Sequence, residues 1–150
     1  MPQSLARILV HMVFSTKQRV PLITPEIESE LHAYLATAFR SCESPALLVG
    51  GDVDHVHVLC SLSKNWSVAR LLQKVKEDSS KWVKTKGAAF RGFYWQGGYG
   101  AFSIGESGVA ALRRYIARQK EHHRRVPFQD EMRAFFRKYG IAYDERYVWD

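Results

Sequence analysis

The sequence predicts an α+β fold, with helices on one face of an antiparallel sheet and further helices at the C-terminus. Apolar residues alternate or run continuously over four short segments, as in strands, and recur at three- and four-residue steps between them, as in helices. The order is strand, helix, strand, strand, helix, strand and then helices, as in a ferredoxin-like split βαβ sandwich. With 46% hydrophobic and 25% charged residues, residues 1–150 suit a single globular domain.

The N-terminal residues supply the first strand and the first helix. Residues 5–14 (LARILVHMVF) are rich in β-favouring apolar types and predict a buried strand. Thr24 is a good helix N-cap, and Pro25 suits the first helical position. The helix that follows has one buried stripe, formed by Ile27, Leu31, Tyr34, Leu35, Ala38 and Phe39.

Two more strands and a second helix come next. Residues 46–50 predict a short strand, after which Gly50 and Gly51 begin a turn. Residues 55–62 (HVHVLCSL) predict the strand on the other side of that turn. Ser67 can cap a second helix, whose apolar stripe consists of Val68, Leu71, Leu72, Val75 and Trp82.

An aromatic segment follows the second helix. Residues 93–96 and 99–104 predict strands interrupted by Gly97 and Gly98. Aromatic side chains in strands usually belong to the core, but they can also stack on nucleic acid bases. Both roles are open for Phe93, Tyr94, Trp95, Tyr99 and Phe102.

Two helices close the chain. Ser107 begins a helix that we expect to run to about His123, with Val109, Leu112 and Ile116 on its buried side. Pro127 ends that unit, and Gly140 ends the last helix, whose apolar positions are Phe128, Met132, Phe135 and Phe136. The aromatic tail, residues 141–149, is expected to pack back on the body or on a partner.

Charge and cysteine content narrow the function classes. Lys and Arg number 22 against 15 Asp and Glu, and the excess is concentrated in residues 64–91 and 113–125. Such segments indicate a polyanionic partner, although lysine on solvated helix faces would look similar. Two cysteines exclude a disulfide framework and favour a reducing, cytoplasmic location. No apolar run is long enough for a transmembrane helix, and no signal peptide is recognisable.

The segment DHVHVLCSL, residues 54–62, carries a candidate metal site. Side chains alternate along a strand, so Val56, Val58, Cys60 and Leu62 form a core face. His55 and His57 then lie together on the opposite face, where two neutral imidazoles can chelate one divalent cation. Asp52 and Asp54 are close enough to supply an outer carboxylate. Two histidines that bind no metal remain the alternative.

A second constellation lies in the basic segment near residue 115. Tyr115 and Gln119 are one helical turn apart and project from the same face. Tyrosine can act as a covalent nucleophile, and a glutamine carbonyl oxygen can bind a hard cation. A packing tyrosine and a solvated glutamine are the alternative. His122 and His123 could instead join the strand histidines in a zinc site, but nothing in the sequence fixes that geometry.

Taken together, these motifs resemble the single-tyrosine HUH transposases of bacterial insertion sequences, the 200/605 group with transposase A. The resemblance runs through HMVFSTKQRVPLI, DHVHVLCSL, LLQKVKEDSSKWV, FYWQGGYGAFSI and YIARQKEHH to FQDEM and IAYDERYVW, which is nearly the whole chain. The pair of histidines is a weak signal alone. Followed about 60 residues later by Tyr-x-x-x-Gln, with WQGGYGAFS between, it is specific.

The resemblance implies a function and a set of roles. Residues 1–150 would form one HUH transposase domain, with Tyr115 as nucleophile and His55, His57 and Gln119 as ligands of Mg²⁺ or Mn²⁺. Attack on single-stranded DNA near subterminal hairpins would give a 5′-phosphotyrosine and a free 3′-OH, which allows strand joining without ATP. Members of the family act as homodimers, in which the tyrosine helix of one subunit completes the histidine site of the other. The loop from Gly105 to Gly108 is a candidate hinge for that exchange.

Basic residues outside the site are the candidate DNA contacts. The basic helix around residues 70–86 and the loop after the first strand would bind the hairpin and the single strand. Not all lysines of one helix can face the same way, so only a subset can touch phosphate. The candidates are Lys17, Arg19, Arg70, Lys74, Lys81 and Arg118.

Three alternatives to a mobile-element transposase stay open on the sequence alone. A domesticated relative would process repeated palindromes with the same chemistry. A non-catalytic single-stranded nucleic-acid-binding module would use the sheet, the aromatic residues and the basic residues. A metal-dependent nuclease would use His55 and His57 with water as the nucleophile, and it would form no covalent protein–DNA species.

Overall fold

The computed structural model describes residues 2–150 and confirms the predicted α+β fold. Its sheet has four strands in the order β2-β3-β1-β4, and all three neighbouring pairs are antiparallel. This is the strand order of the ferredoxin-like sandwich. The strands are β1 (Leu9–Ser15), β2 (Ala46–Asp52), β3 (His55–Ser61) and β4 (Gly100–Ser103).

Helices cover both faces of this sheet. Two long helices, α1 (Glu28–Ser41) and α2 (Val68–Lys84), pack on what we call the first face. Ser67 caps α2 as predicted, because its Oγ accepts a hydrogen bond of 3.1 Å from the backbone N–H of Arg70. The second face carries the shorter C-terminal helices, which are α3 (Val109–Ala117), α4 (Gln119–His122) and α5 (Phe128–Lys138).

Strand alternation divides the side chains between the two faces as predicted. The first face is a continuous apolar core in which Val56, Val58 and Cys60 of β3 pack with α1 and α2. On the second face, two smaller apolar clusters surround Phe102 and Leu59. His55 and His57 lie on that second face and are fully buried. The fold therefore positions the candidate histidines beneath α3, α4 and α5.

A glycine allows α3 to approach the sheet closely. Gly50 of β2 is paired with His57 of β3, and a Cβ atom at this glycine would lie 2.5 Å from Cγ2 of Ile116. That separation is far below van der Waals contact, so a larger residue would push α3 away from the sheet. Because α3 also carries Tyr115, this close approach helps to fix the tyrosine over the histidines.

Four predictions in the first two-thirds of the chain are wrong. The first strand begins at Leu9 rather than at residue 5, because residues 5–8 are exposed and belong to none of the strand pairs. Helix α1 begins at Glu28 rather than near Pro25, because Thr24 accepts turn hydrogen bonds through its carbonyl while its hydroxyl has no partner. Gly50 and Gly51 belong to β2, and the turn lies at residues 53–54. Residues 93–96 form no strand, since Trp95 makes only an isolated bridge to Thr16.

The predicted helix from Ser107 to His123 is also divided. The backbone leaves the helical conformation at Arg118, where φ is −102° and ψ is 17°, and α4 begins at the next residue. The tail packs on the body, where Val148 and Trp149 contact the cluster around Phe102. Among residues 2–150, no helix is long and apolar enough to cross a membrane.

Candidate active site

The site starts with the two histidines of β3, each held from outside through its Nδ1 atom. For His55 the outer partner is Asp54, whose Oδ1 lies 2.7 Å from Nδ1. For His57 it is His11 of β1, whose Nε2 lies 2.8 Å from Nδ1. Both Nε2 atoms consequently point into the space beneath the C-terminal helices, in the arrangement typical of metal-binding histidines.

The C-terminal helices bring the other two predicted residues to this space. Gln119, at the start of α4, is buried and places its Oε1 2.8 Å from Nε2 of His55. The ring of Tyr115 on α3 packs edge-on against that of His57, with centroids 5.8 Å apart. The sequence-predicted set of His55, His57, Tyr115 and Gln119 therefore comes together within one chain.

A buried carboxylate that the sequence analysis did not single out lies at the centre. Oε1 of Glu131, on α5, is 3.1 Å from Nε2 of His57. Its Oε2 accepts hydrogen bonds from the Tyr115 hydroxyl and, at 2.9 Å, from Nε2 of Gln119. Glu131 thus connects the nucleophile candidate with the metal-ligand candidates.

His123 joins the same cluster, although no pattern in the sequence favoured it over His122. Its Nε2 lies 3.0 Å from Oε1 of Glu131 and 2.9 Å from Oε1 of Gln119. Its Nδ1 lies 2.5 Å from the carbonyl oxygen of Val126. In residues 2–150, the ligand atoms of His55, His57, His123 and Glu131 form a group that could hold a metal ion, all within 4.8 Å of one another.

Burial and hydrogen bonding set the charges in this cluster. Burial alone would raise the pKa of Glu131, but hydrogen bonds with His123 and His57 outweigh it and hold that pKa far below its usual range. Burial, together with the negative charge of Glu131, raises the pKa of Tyr115 well above its ordinary value. Burial also lowers the pKa of His57, and that of His11 to about 3. For His123, burial lowers the pKa, but the hydrogen bond to Glu131 and its charge outweigh burial and raise it. The metal-free cluster therefore holds the charge of Glu131 beside a protonated tyrosine and the neutral imidazoles of His57 and His11.

A basic cleft opens beside Tyr115. Its volume is about 510 Å³, and three arginine side chains line it together with His122 and Glu121. These arginines are Arg114, Arg118 and Arg125. Arg118 is thus the one predicted DNA contact that the fold brings directly to the tyrosine.

The other predicted DNA contacts lie farther from the tyrosine. Arg70 stacks on Trp66 at 4.0 Å, Lys74 pairs with Asp78 at 3.1 Å and Lys81 is exposed, all on α2 across the sheet from the site. The turn after β1 carries the last two candidates, Lys17 and Arg19.

Arg19 nevertheless reaches the edge of the histidine cluster. It lines a cleft of about 230 Å³ with Asp54 and His123. Lys17 and Arg19 also border a neighbouring cleft beside Trp149. Arg19 therefore lies beside a candidate metal ligand, whereas the basic residues of α2 lie across the sheet.

The aromatic candidates divide between core and surface. Phe93, Trp95 and Phe102 are buried, as the core interpretation predicts. Tyr94 and Tyr99 are exposed, and Nζ of Lys84 lies 4.0 Å from the ring centroid of Tyr94. Of these five aromatic residues, Tyr94 and Tyr99 are therefore the two that are exposed enough to stack on bases.

One sequence signal could have identified Glu131. The buried stripe of α5 consists of apolar residues such as Phe128, Met132 and Phe136, and Glu131 falls on the same stripe. A carboxylate on the buried side of an amphipathic helix needs a partner, because burying an unpaired charge is costly. His11 has a comparable signal, since it shares the inward face of β1 with Val13.

Two solved structures share this fold. A presumed transposase from Deinococcus radiodurans R1 matches with a TM-score of 0.62 and 18% identity, over 79% of this chain and 98% of that one. A REP-associated tyrosine transposase bound to a REP hairpin matches with a TM-score of 0.61 and 11% identity, over 82% of this chain and 73% of that one. At these identities the likeness concerns the fold alone.

The family assignment rests on the sequence. A comparison with curated proteins gave no match. A family model described as "Transposase IS200 like" matches residues 4–119, which include both strand histidines, Tyr115 and Gln119. Because this match covers well over half of the residues, the chain belongs to the family of IS200-like transposases.

Proposed function

We propose that this protein cuts and rejoins single-stranded DNA through a covalent 5′-phosphotyrosine at Tyr115. The observation that carries the proposal is the meeting of the Tyr115 hydroxyl with His57, Gln119 and Glu131 in one buried cluster. The oxygen of Tyr115 would lose its proton and attack phosphorus, the new O–P bond would form, and the bond to the 3′ oxygen would break, with the 3′ oxygen leaving as a 3′-OH after it takes up a proton. The 3′-OH of another strand could reverse this step, so joining would need no further energy source.

Three residues would hold the metal ion that this chemistry uses. His55, His57 and Gln119 offer two imidazole nitrogens and one carbonyl oxygen, a donor set that suits a divalent cation. Bound Mg²⁺ or Mn²⁺ would polarise the scissile phosphate and offset its developing charge. Asp54 and His11 would keep the two rings oriented with Nε2 inward.

The cleft beside Tyr115 offers a path for the DNA. Arg114, Arg118 and Arg125 supply fixed positive charges next to the nucleophile, where the phosphates flanking the scissile bond would lie. The REP-associated neighbour was solved with a hairpin, which supports single-stranded DNA with hairpins as the partner class. Outside the cleft, the hairpin would contact Lys17, Arg19, Arg70, Lys74 and Lys81.

We also propose a homodimer that shares active sites. The short turn Glu106–Gly108, directly before α3, would be the hinge that lets α3 reach a second subunit. In the structure described here Tyr115 meets the histidines of its own chain, which would be the other position of that hinge. Residues 1–150 would act as one domain in either arrangement.

A denaturing gel tests the nucleophile directly. Purified protein is mixed with labelled single-stranded DNA from the gene's flanks and Mg²⁺ or Mn²⁺, and a slowly migrating covalent adduct is expected. Tyr115→Phe and His57→Ala should both abolish the adduct. Tyr139→Phe is the matched control, since its hydroxyl bonds only the carbonyl of Ser103, and it should leave the adduct unchanged. Cleavage that persists in Tyr115→Phe would contradict the proposal and favour a hydrolytic nuclease.

A further inference from the structure

We infer that His123 and Glu131 are also metal ligands, so that the site is a three-histidine, one-carboxylate centre that selects a first-row transition-metal ion over Mg²⁺. The inference deepens the proposed function, because the same ion would serve DNA cleavage. It changes both the ligand set and the metal expected from the sequence.

The first argument is that three histidines share one arrangement. Each has its Nδ1 tied to an outer partner, which is Asp54 for His55, His11 for His57 and the Val126 carbonyl for His123. In the metal-free structure the Nε2 atoms face the oxygens of Glu131 and Gln119, and an ion that binds between them would replace the Nε2 protons while the Nδ1 contacts keep the rings in place. Such outer partners regularly accompany histidine ligands. His123 therefore has the same orientation as the two histidines that the sequence identified.

The second argument is the position of the carboxylate. Oε1 of Glu131 lies 3.0 Å from Nε2 of His123, 3.1 Å from that of His57 and 3.5 Å from that of His55. Donor atoms around one zinc-sized ion are separated by about 3.3 Å, given metal–ligand bonds of about 2.0–2.2 Å. The three separations from Oε1 are therefore close to those of a shared coordination shell, and all four donor atoms lie within 4.8 Å of one another.

The neighbouring histidine lacks these features. Nε2 of His122 lies 3.5 Å from the other carboxylate oxygen, Oε2 of Glu131, and has no hydrogen-bond partner. Its ring lines the arginine cleft on the side of Tyr115. His122 is therefore placed to face substrate, whereas His123 is placed to face the ion.

The donor set determines which metal is preferred. Imidazole nitrogen suits transition-metal ions such as Fe²⁺, Ni²⁺ and Zn²⁺, whereas Mg²⁺ prefers six oxygen ligands and keeps several waters. Mn²⁺ is the weakest binder among the transition-metal ions of this series, so its affinity gives a lower bound on the preference over Mg²⁺. Three nitrogens and one buried carboxylate leave little room for a magnesium shell. Gln119, whose Oε1 touches the Nε2 atoms of both His55 and His123, would add one oxygen at the edge of the set.

Calorimetric titration of the DNA-free protein tests the ligands. We expect Mn²⁺ to bind at least 100-fold more tightly than Mg²⁺, and Glu131→Gln and His123→Gln each to weaken Mn²⁺ binding at least tenfold. The controls are Glu77→Gln, an exposed carboxylate on α2, and His32→Gln, on α1, and both should bind as the wild type does. Unchanged Mn²⁺ affinity in either ligand variant, or equal affinity for Mg²⁺, would overturn the inference.

A second readout needs no variant and so does not depend on how well a variant folds. In wild-type protein labelled with ¹⁵N-histidine, pulsed electron paramagnetic resonance of bound Mn²⁺ should detect three coupled imidazole nitrogens. Two nitrogens would overturn the role of His123. Adduct formation with only two coupled nitrogens would refute this inference and leave the proposed function standing. Three coupled nitrogens without any adduct would support the three-histidine centre and refute the proposed function.

Discussion

The two faces of the sheet differ in what they bury. The first face is an unbroken apolar core in which side chains such as Phe39 and Leu35 are fully excluded from solvent. The second face buries His57, Gln119 and Glu131 between two small apolar clusters. Apolar packing stabilises the fold in proportion to its area, whereas buried polar groups stabilise it only when every one is paired. The comparison indicates that the first face supplies stability and the second face supplies chemistry.

The largest effect on stability should come from the first face. Phe39→Ala removes a fully buried ring from the core and should lower the free energy of unfolding by about 3–5 kcal/mol. Chemical denaturation monitored by circular dichroism measures this loss. Adduct formation per folded molecule should stay unchanged, because the ring lies across the sheet from Tyr115. A specific loss of adduct formation in protein that is still folded would break the division between the faces.

The carboxylate of Asp54, which contacts the ring of His55, should affect the affinity for the metal ion. Asp54→Asn weakens the outer hold on Nδ1 of His55 and should reduce Mn²⁺ affinity about 10- to 100-fold. Calorimetry measures the change. Asp52→Asn is the matched control, because the nearest partner of that carboxylate is Lys120 at 3.7 Å, and it should bind Mn²⁺ normally. Equal effects of both variants would remove Asp54 from the site.

The pH dependence of stability should reveal the titration of Lys76, a half-buried lysine of α2. Burial lowers the pKa of Lys76 to about 8, while its Nζ donates to the carbonyls of Gln96 and Gly98. The unfolded chain therefore binds more protons between pH 8 and 10.5, so the contribution of Lys76 to stability rises with pH over that window. Relative to Lys76→Met, the wild type should gain at most about 1.4 kcal/mol per pH unit there.

Lys74→Met is the control for that titration. Lys74 lies on the same helix but is exposed, and its hydrogen bond and ion pair with Asp78 raise its pKa. Its substitution should leave the slope between pH 8 and 10 as it is in the wild type. Denaturation midpoints measured across this range compare the three proteins. The same slope in wild type and Lys76→Met would contradict the prediction.

The smallest effect concerns the cleft beside Tyr115. Arg118→Ala should weaken binding of single-stranded DNA and reduce the slope of log affinity against log salt by about 0.7, the value for one lost phosphate contact. Fluorescence anisotropy at several salt concentrations measures this slope. Arg40→Ala, exposed at the end of α1, should leave it unchanged. An unchanged slope in Arg118→Ala would move the DNA path away from the cleft.

The sequence predicted most of the side chains in the apolar core of the first face, but only some of the polar side chains in the cluster on the second face. Alternation along β3 separated Cys60 from His57 correctly, because a strand allows only two directions for its side chains. Helical spacing likewise placed Tyr115 near Gln119, although the backbone breaks between them at Arg118. The alternation of side chains along a strand and their spacing along a helix depend only on neighbouring residues, so both can be predicted from the sequence alone.

Features that depend on tertiary contacts were missed. The spacing within α5 showed that Glu131 is on a buried stripe, but not that α5 lies over β3. The ring of His123 is held in the cluster by its contact with the carbonyl of Val126, and no pattern in the sequence predicts that contact. The segment around Trp95 lies beside the end of β1 as a loop and not as a strand. The Trp95 indole N–H donates a hydrogen bond to Ser79 of α2, and the sequence near Trp95 does not indicate this contact.

Mass spectrometry of the covalent adduct tests the central claim most directly. Trypsin should release the peptide from Tyr115 to Arg118, because arginine occupies positions 114 and 118. After reaction with a single-stranded hairpin substrate and digestion of the DNA, the account predicts that this peptide carries a 5′-linked nucleotide on its tyrosine. A nucleotide attached to any other residue, or cleaved DNA with no modified peptide, would contradict it.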